Sequence, residues 1–180
     1  DDMGLGKTLQ VIKASEQEIF IKKTLCVFIF CPNALVNNWI SELAKWFSMS
    51  IAKSFTKGEL AKIANSSNFV VISYPQMQNF LTEYDELGLD AENITIFDEA
   101  HKLRNSGALV SRLSKSFNTT IKWLLTGTPL ERDEKDIDTI LQIINPGLQV
   151  GKLKNDTFLM KSRFKNLTLR RTKDIALREL

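Results

Sequence analysis

The chain has 180 residues, 43% of them hydrophobic, and 24 Lys/Arg against 21 Asp/Glu give a net charge of +3. That length and content suit one domain, residues 1–180, with a real core. No apolar run is long enough to cross a bilayer and no signal-peptide pattern is present, so a soluble, intracellular protein with no membrane partner is expected. The charge is uneven: residues 151–180 hold nine Lys/Arg against three Asp/Glu, a net +6, and residues 1–150 hold 15 against 18, a net −3. A basic segment of this kind suits a polyanion and equally a solvated surface.

The chain opens on Asp1-Asp2-Met3-Gly4-Leu5-Gly6-Lys7-Thr8. Two glycines ahead of a Lys-Thr pair that starts a helix describe a loop that wraps polyphosphate. Backbone N–H groups turn inward, the Lys7 ammonium reaches β/γ-phosphate oxygens, and the Thr8 hydroxyl meets Mg²⁺. Gly4, Leu5, Gly6, Lys7 and Thr8 are therefore candidate ATP ligands, and Thr8 a candidate metal ligand. The strict motif has a glycine five residues before Gly6, where this chain has Asp1. Such a loop normally follows a buried strand and none precedes it here, so a piece of a longer protein is expected.

After Thr8, apolar residues at 9, 12 and 19 predict a helix whose N-terminus points at the phosphates. Residues 25–31 are apolar throughout, as in a strand covered on both faces. Cys26 and Cys31 lie in that run, with α-carbons about 16 Å apart if it is extended, and so read as reduced core residues. Residues 34–47 resume helical spacing, with Trp39 and Trp46 on one face and better suited to packing than to base stacking. A short strand over 51–55, a helix over 58–64 and a buried strand over 69–73 follow. Pro75 opens a helix reaching 81 or beyond, and residues 85–93 form a polar connection. Residues 94–97 make a strand that runs into Asp98-Glu99-Ala100-His101. Then come a helix over 108–116, a strand over 121–125, a turn at Thr126-Gly127-Thr128-Pro129 and an amphipathic helix over 137–144. Asn145-Pro146-Gly147 is a stop. A weaker helix over 156–165 and a short strand over 167–169 lie in the basic segment. Alternating strands and helices predict an α/β fold, mainly a parallel sheet with helices on both faces, its ligands beyond the carboxyl ends of the strands.

Asp98-Glu99, after an apolar strand, completes an ATP site. Hydrolysis needs a metal to neutralise phosphate charge and a carboxylate to position water for in-line attack. Asp98 is placed for Mg²⁺ and Glu99, one residue on, for the water. His101, the only histidine, is expected to hydrogen-bond towards Thr126 or Thr128 and to link nucleotide state to neighbouring segments, without transferring a proton.

The segments D-D-M-G-L-G-K-T, D-E-A-H, L-L-T-G-T-P-L and L-R-R-T-K resemble, in order, those of the Swi/Snf-type ATPases of helicase superfamily two. C-P-N-A-L-V-N-N-W and V-V-I-S-Y look like that family's segments Ia and Ib, and I-N-P-G like its stretch before the end of the first lobe. The resemblance spans essentially the whole chain. It implies the first of two RecA-like P-loop lobes of an ATP-driven translocase on double-stranded DNA, with the second lobe absent from this chain. It also implies that Lys7, Asp98, Glu99 and His101 serve catalysis and that Thr126, Gly127 and Thr128 couple hydrolysis to movement. Pro32, Asn33, Ser73, Tyr74, Lys102, Arg104 and Asn105 would lie along DNA. The compartment would be the nucleus in a eukaryote, or the cytoplasm in a bacterium or phage.

Departures from the family pattern are Asp2 for the usual Glu, and Glu131-Arg132-Asp133-Glu134 with Ile137-Asp138 in place of an Asn-rich turn and a Leu-Trp pair. Arg170, Arg171 and Lys173 suit either a phosphate or a following lobe. Two other readings stand beside this one. The first is the motor of another superfamily-two enzyme, an RNA helicase or restriction-enzyme subunit. The second is a nucleic-acid-binding module that no longer turns over ATP.

Overall fold

A computed structural model describes residues 1–2, 4–22, 26–47, 52–89, 93–119, 121–128, 134–146 and 157–174. Contacts group the chain into two compact units, each built from separated stretches. One comprises Gly6–Asp98 and Phe117–Leu125, the other Asp1–Leu5, Glu99–Ser116 and Thr126–Leu180.

Among the described residues the first unit holds five strands, Val27–Cys31 (β1), Ala52–Ser54 (β2), Phe69–Ser73 (β3), Ile94–Phe97 (β4) and Ile121–Leu124 (β5). They form one sheet in the order β2-β3-β1-β4-β5, with every neighbouring pair parallel. Among the described residues four helices accompany them: Lys7–Lys22 (α1), Val36–Trp46 (α2), Leu60–Ser66 (α3) and Met77–Glu86 (α4). This is the expected α/β pattern. The three central strands β1, β3 and β4 are buried at every position, which is why they read as continuous apolar runs rather than alternating ones.

Period-two alternation divides the core between the two faces of the sheet. Val27, Ile29 and Cys31 of β1, Phe69 and Val71 of β3, and Ile94 and Ile96 of β4 pack with Ile12 of α1 and with Trp39 and Leu43 of α2. Phe28, Phe30 and Phe97 point the other way, into an aromatic cluster with Phe80 and Tyr84 of α4 and with Phe117. Its ring centroids are 5.0 Å apart for Phe28–Phe80 and 4.9 Å for Phe30–Phe117. Cys26 and Cys31 are free and buried, as expected. Trp46 departs from the expectation. It is 36% exposed, its indole N–H donates to Glu42 Oε2 at 2.8 Å, and the Lys45 ammonium lies 4.6 Å from its ring centroid. Leu43 and Phe47 occupy the core stripe at that end of the helix, which leaves Trp46 on the flank.

Among the described residues the second unit contains a 3₁₀ turn at Ala100–Leu103 and three helices: Leu109–Ser116 (α5), Glu134–Ile144 (α6) and Thr157–Asn166 (α7). The apolar stripe of α6 buries Ile137, Ile140, Leu141 and Ile143; Leu103, Met160 and Phe164 are buried as well. Lys115 of α5 donates to Gln142 of α6 at 2.7 Å, and the Arg104 guanidinium lies 3.9 Å from the Asp136 carboxylate. The expected strand over 167–169 is not formed. Leu167 N–H and the Thr168 hydroxyl instead donate back to the Arg163 and Phe164 carbonyls, closing α7, and Leu167 and Leu169 stay exposed. Pro129, Leu130, residues 131–133 and Gly147, which carry expected turns and family departures, lie outside the described residues. No helix among the described residues is long and apolar enough to cross a membrane.

Lys122 of β5 is buried, and its ammonium donates to the Phe117 carbonyl at 2.6 Å. Burial lowers its pKa from 10.5 to about 8. Below pH 8 the folded and unfolded chains both carry this proton, so the full cost of a buried charge is present. As pH rises from 8 towards 10.5 the folded chain releases the proton first, and stability rises. Relative to Lys122→Met, the unsubstituted chain should gain about 1 kcal/mol between pH 7 and pH 10, after allowance for solvent screening. Urea unfolding of both chains measures this; a pH-independent difference would refute it. The comparison must be a difference because burial pushes the Cys26 and Cys31 thiols up to about 12, which acts in the opposite direction above pH 9.

Candidate nucleotide site

Gly4 and Gly6 both take positive φ, +85° and +72°. A Cβ at either would meet nothing within 4 Å. Glycine is therefore required by the backbone conformation and not by crowding, and the space beside the loop is open to a ligand. Lys7 and Thr8 begin α1, and Gln10 N–H donates to the Gly6 carbonyl at 3.0 Å as the first helical bond.

Only residues 23–26 separate α1 from β1, so the far end of α1 is tied to the start of that strand. α1 is 16 residues long, about 24 Å at the usual helical rise, and its Ile12 packs in the same cluster as Trp39. Asp98 follows β4 at the carboxyl edge of the sheet.

Asp98 is held from three directions within the sheet unit. Its N–H donates to the Phe30 carbonyl of β1 at 2.8 Å. Its carbonyl accepts from the Tyr74 hydroxyl at 2.6 Å, and its Oδ2 accepts from the Trp39 indole N–H at 2.9 Å. Trp39 is 2% exposed and packs in the same cluster as Ile12 of α1. Neither Trp39 nor Tyr74 is marked in the sequence as a support for Asp98, because the partners lie 59 and 24 residues away.

Glu99 is the one non-glycine residue with positive φ among the described residues, at φ 51° and ψ 46°. A left-handed conformation costs an ordinary residue roughly 1–2 kcal/mol, and such strain clusters at functional sites. Here it turns the chain sharply from the strand into the Ala100–Leu103 turn, where Lys102 N–H donates to the Glu99 carbonyl at 3.0 Å. Within the second unit Glu99 begins a polar chain. His101 Nδ1 lies 3.1 Å from Glu99 Oε2 and 3.3 Å from Thr126 Oγ1. Thr126 Oγ1 is 3.1 Å from Thr128 Oγ1 and accepts from the Thr128 N–H at 3.2 Å. The His101–Thr126 contact is one of the two that the sequence suggests.

The residues present fit a magnesium–triphosphate. Mg²⁺ keeps waters and takes one or two protein oxygens together with substrate phosphates, rather than an all-protein cage. Asp98, oriented by Trp39, and the Thr8 hydroxyl are donors of that kind. Among the described residues no group of three or more His, Cys, Asp or Glu could hold a metal unaided.

The residues assigned to a DNA track divide into two sets. Asn33, Lys102 and Asn105 are exposed and Pro32 is half-buried. Ser73 and Tyr74 are buried at 8% and 7% exposure, and the Tyr74 hydroxyl turns inward to Asp98. Arg104 also faces inward, with its Nε donating to the His101 carbonyl at 3.0 Å. The side chains of Tyr74 and Arg104 thus hold backbone carbonyls of the acidic motif.

Comparisons with known proteins bear on the family and the fold. The family model described as the SNF2-related domain matches residues 1–174. The DNA repair and recombination protein RAD54B of Mus musculus is 32% identical over 162 residues, covering 82% of this chain and 18% of its own length. The DNA repair and recombination protein RDH54 of Saccharomyces cerevisiae is 28% identical over 178 residues, covering 82% of this chain and 19% of its own. The chain thus spans less than a fifth of the curated relatives it matches. Among solved structures, the Sulfolobus solfataricus SWI2/SNF2 ATPase core in complex with dsDNA superposes with a TM-score of 0.79 at 26% identity. That match covers 96% of this chain and 39% of the other. The same ATPase core domain in a second structure gives 0.73 at 24% identity, a likeness of fold. The fold is RecA-like α/β, and with a family model spanning nearly its whole length the chain belongs to the SNF2-related domain family.

Proposed function

We propose that this chain is the ATP-binding first lobe of a Swi/Snf-type, DNA-dependent ATPase that moves along double-stranded DNA, with a second RecA-like lobe elsewhere in the parent protein. The observation that carries the reading is the three-way hold on Asp98 at the carboxyl end of β4. Amides of Gly4, Leu5 and Gly6 cradle the phosphates, and the Lys7 ammonium offsets charge on the β/γ oxygens. Thr8 and Asp98 hold Mg²⁺, which when bound neutralises charge developing on the transferring phosphoryl group. Glu99 orients the attacking water. His101, in contact with both Glu99 and Thr126, passes a change at the carboxylate to the Thr126-Gly127-Thr128 turn. Support for the DNA track comes from the exposure of Asn33, Lys102 and Asn105 and from a structural neighbour described as bound to dsDNA. The compartment follows the DNA, the nucleus in a eukaryote and the cytoplasm in a bacterium or phage.

In the full-length parent, Lys7→Ala should abolish Mg-ATP binding, and unchanged affinity in a direct titration would sink the assignment of the loop. Glu99→Gln should bind ATP with near-normal affinity but lose turnover by on the order of 10³-fold or more, and normal hydrolysis would reassign the water-positioning role. Stimulation of turnover by double-stranded DNA is expected; stimulation by RNA alone would favour a different superfamily-two motor. Trp39→Phe removes the indole donor and keeps most of the ring. It should raise the Mg²⁺ concentration needed for half-maximal turnover and cost about 1–3 kcal/mol of stability. An unchanged Mg²⁺ dependence would leave Trp39 a packing residue only.

A further inference from the structure

Arg171 lies in the basic segment yet turns inward. Its guanidinium forks onto the Asp1 carboxylate, Nη2 to Oδ2 at 2.5 Å and Nε to Oδ1 at 3.2 Å, and its backbone N–H donates to Asp1 Oδ1 at 2.9 Å. Asp2 N–H donates to the Arg171 carbonyl at 3.0 Å, and Lys173 N–H donates to Asp2 Oδ2 at 3.2 Å. The Asp1 side chain is 5% exposed and that of Arg171 34%. Two stretches some 170 residues apart in sequence are thus laced together, and both belong to the same compact unit.

Asp1 and Asp2 lead directly into Gly4. A loop with glycines at positive φ has little conformational preference of its own, so its shape depends on what holds its ends. The planar guanidinium fork fixes direction as well as distance, which a point charge does not. We infer that Arg171 is a positioning residue for the phosphate loop: through Asp1 it sets the entry of the loop and thereby the affinity for the phosphates of a nucleoside triphosphate. The inference rests on the reading of that loop as the ATP site. A phosphate of DNA, or a following lobe, would have to draw the guanidinium away from a nearly buried carboxylate, which is costly. Arg170 and Lys173 keep those roles open; Arg171 does not.

The test is a double-mutant cycle in the full-length protein, read by direct Mg-ATP titration. Arg171→Ala and Asp1→Asn should each weaken binding by about tenfold, and the double substitution should be no worse than either alone. Arg171→Lys, which keeps the charge without the fork, should recover part of the affinity and serves as the readout if Arg171→Ala does not fold. Melting temperatures taken alongside separate the two roles, since a merely structural contact would lower them without moving the ATP affinity. Unchanged ATP affinity in Arg171→Ala or Arg171→Lys, while Lys7→Ala abolishes binding, overturns the inference and leaves the loop assignment standing. So do additive losses, or a loss confined to DNA affinity. Retained binding in Lys7→Ala overturns the loop assignment and the inference with it.

Discussion

A carboxylate at the end of a buried strand has two free torsions and no reason to keep one direction. In this chain Asp98 is denied that freedom by its neighbours: the Phe30 carbonyl holds its N–H, the Tyr74 hydroxyl its carbonyl, and the Trp39 indole one carboxylate oxygen. Each support comes from a different part of the sheet unit, and each is itself fixed by burial. Phe30 is inside the aromatic cluster, Trp39 shares a core with Ile12 and Leu43, and Tyr74 is 7% exposed. The direction of the acid is therefore set by the packing of both faces of the sheet. Preorganisation of this kind is what an electrostatic site requires, because a group already aimed needs no reorganisation when charge develops in front of it.

The strands could be read from sequence because the central ones are covered on both faces, and few other structures make a five-residue run wholly apolar. Residues 69–73 and 94–97 are strands at the expected bounds, and the helices fall within a few residues of expectation. What sequence could not show was pairing between side chains far apart along the chain. The resemblance of V-V-I-S-Y to a family segment put Tyr74 along DNA, and nothing in that resemblance showed that its hydroxyl turns back to the Asp98 carbonyl. Arg171 read as suited to a phosphate or a following lobe, and its partner is a carboxylate at the other end of the chain. The strand over 167–169 failed for a related reason: an alternating pattern proposes a strand, but only a neighbouring ladder makes one. His101 to Thr126 was legible, since a lone histidine beside an acidic motif has few polar segments to answer to.

The second unit carries a different kind of element. Glu99, His101, Thr126 and Thr128 form a chain of contacts between 3.1 and 3.3 Å. The imidazole sits between a carboxylate and a hydroxyl, so a change in the orientation of either is felt by the other. Thr126 is also tied to the backbone of Thr128, which extends the coupling from side chains to the course of the turn. Proton transfer is unnecessary for such a link; a rotation of the Glu99 side chain would be enough to alter the two contacts at His101.

The two sides of the proposed ATP site are built on opposite physical principles. On the acidic side the backbone is strained and over-determined: Glu99 holds a left-handed conformation that its side chain disfavours, immediately after a residue fixed by three partners. On the phosphate side the backbone is permissive, with two glycines in positive-φ conformations open to them and nothing within 4 Å of a Cβ at either. A rigid acid can aim a metal and a water, but a rigid loop of amides would have to match the phosphates in advance. A permissive loop adapts to them, and then needs anchors outside itself to avoid losing affinity to its own disorder. Asp1 and Asp2 on the near side, and the first turn of α1 on the far side, stand where such anchors belong.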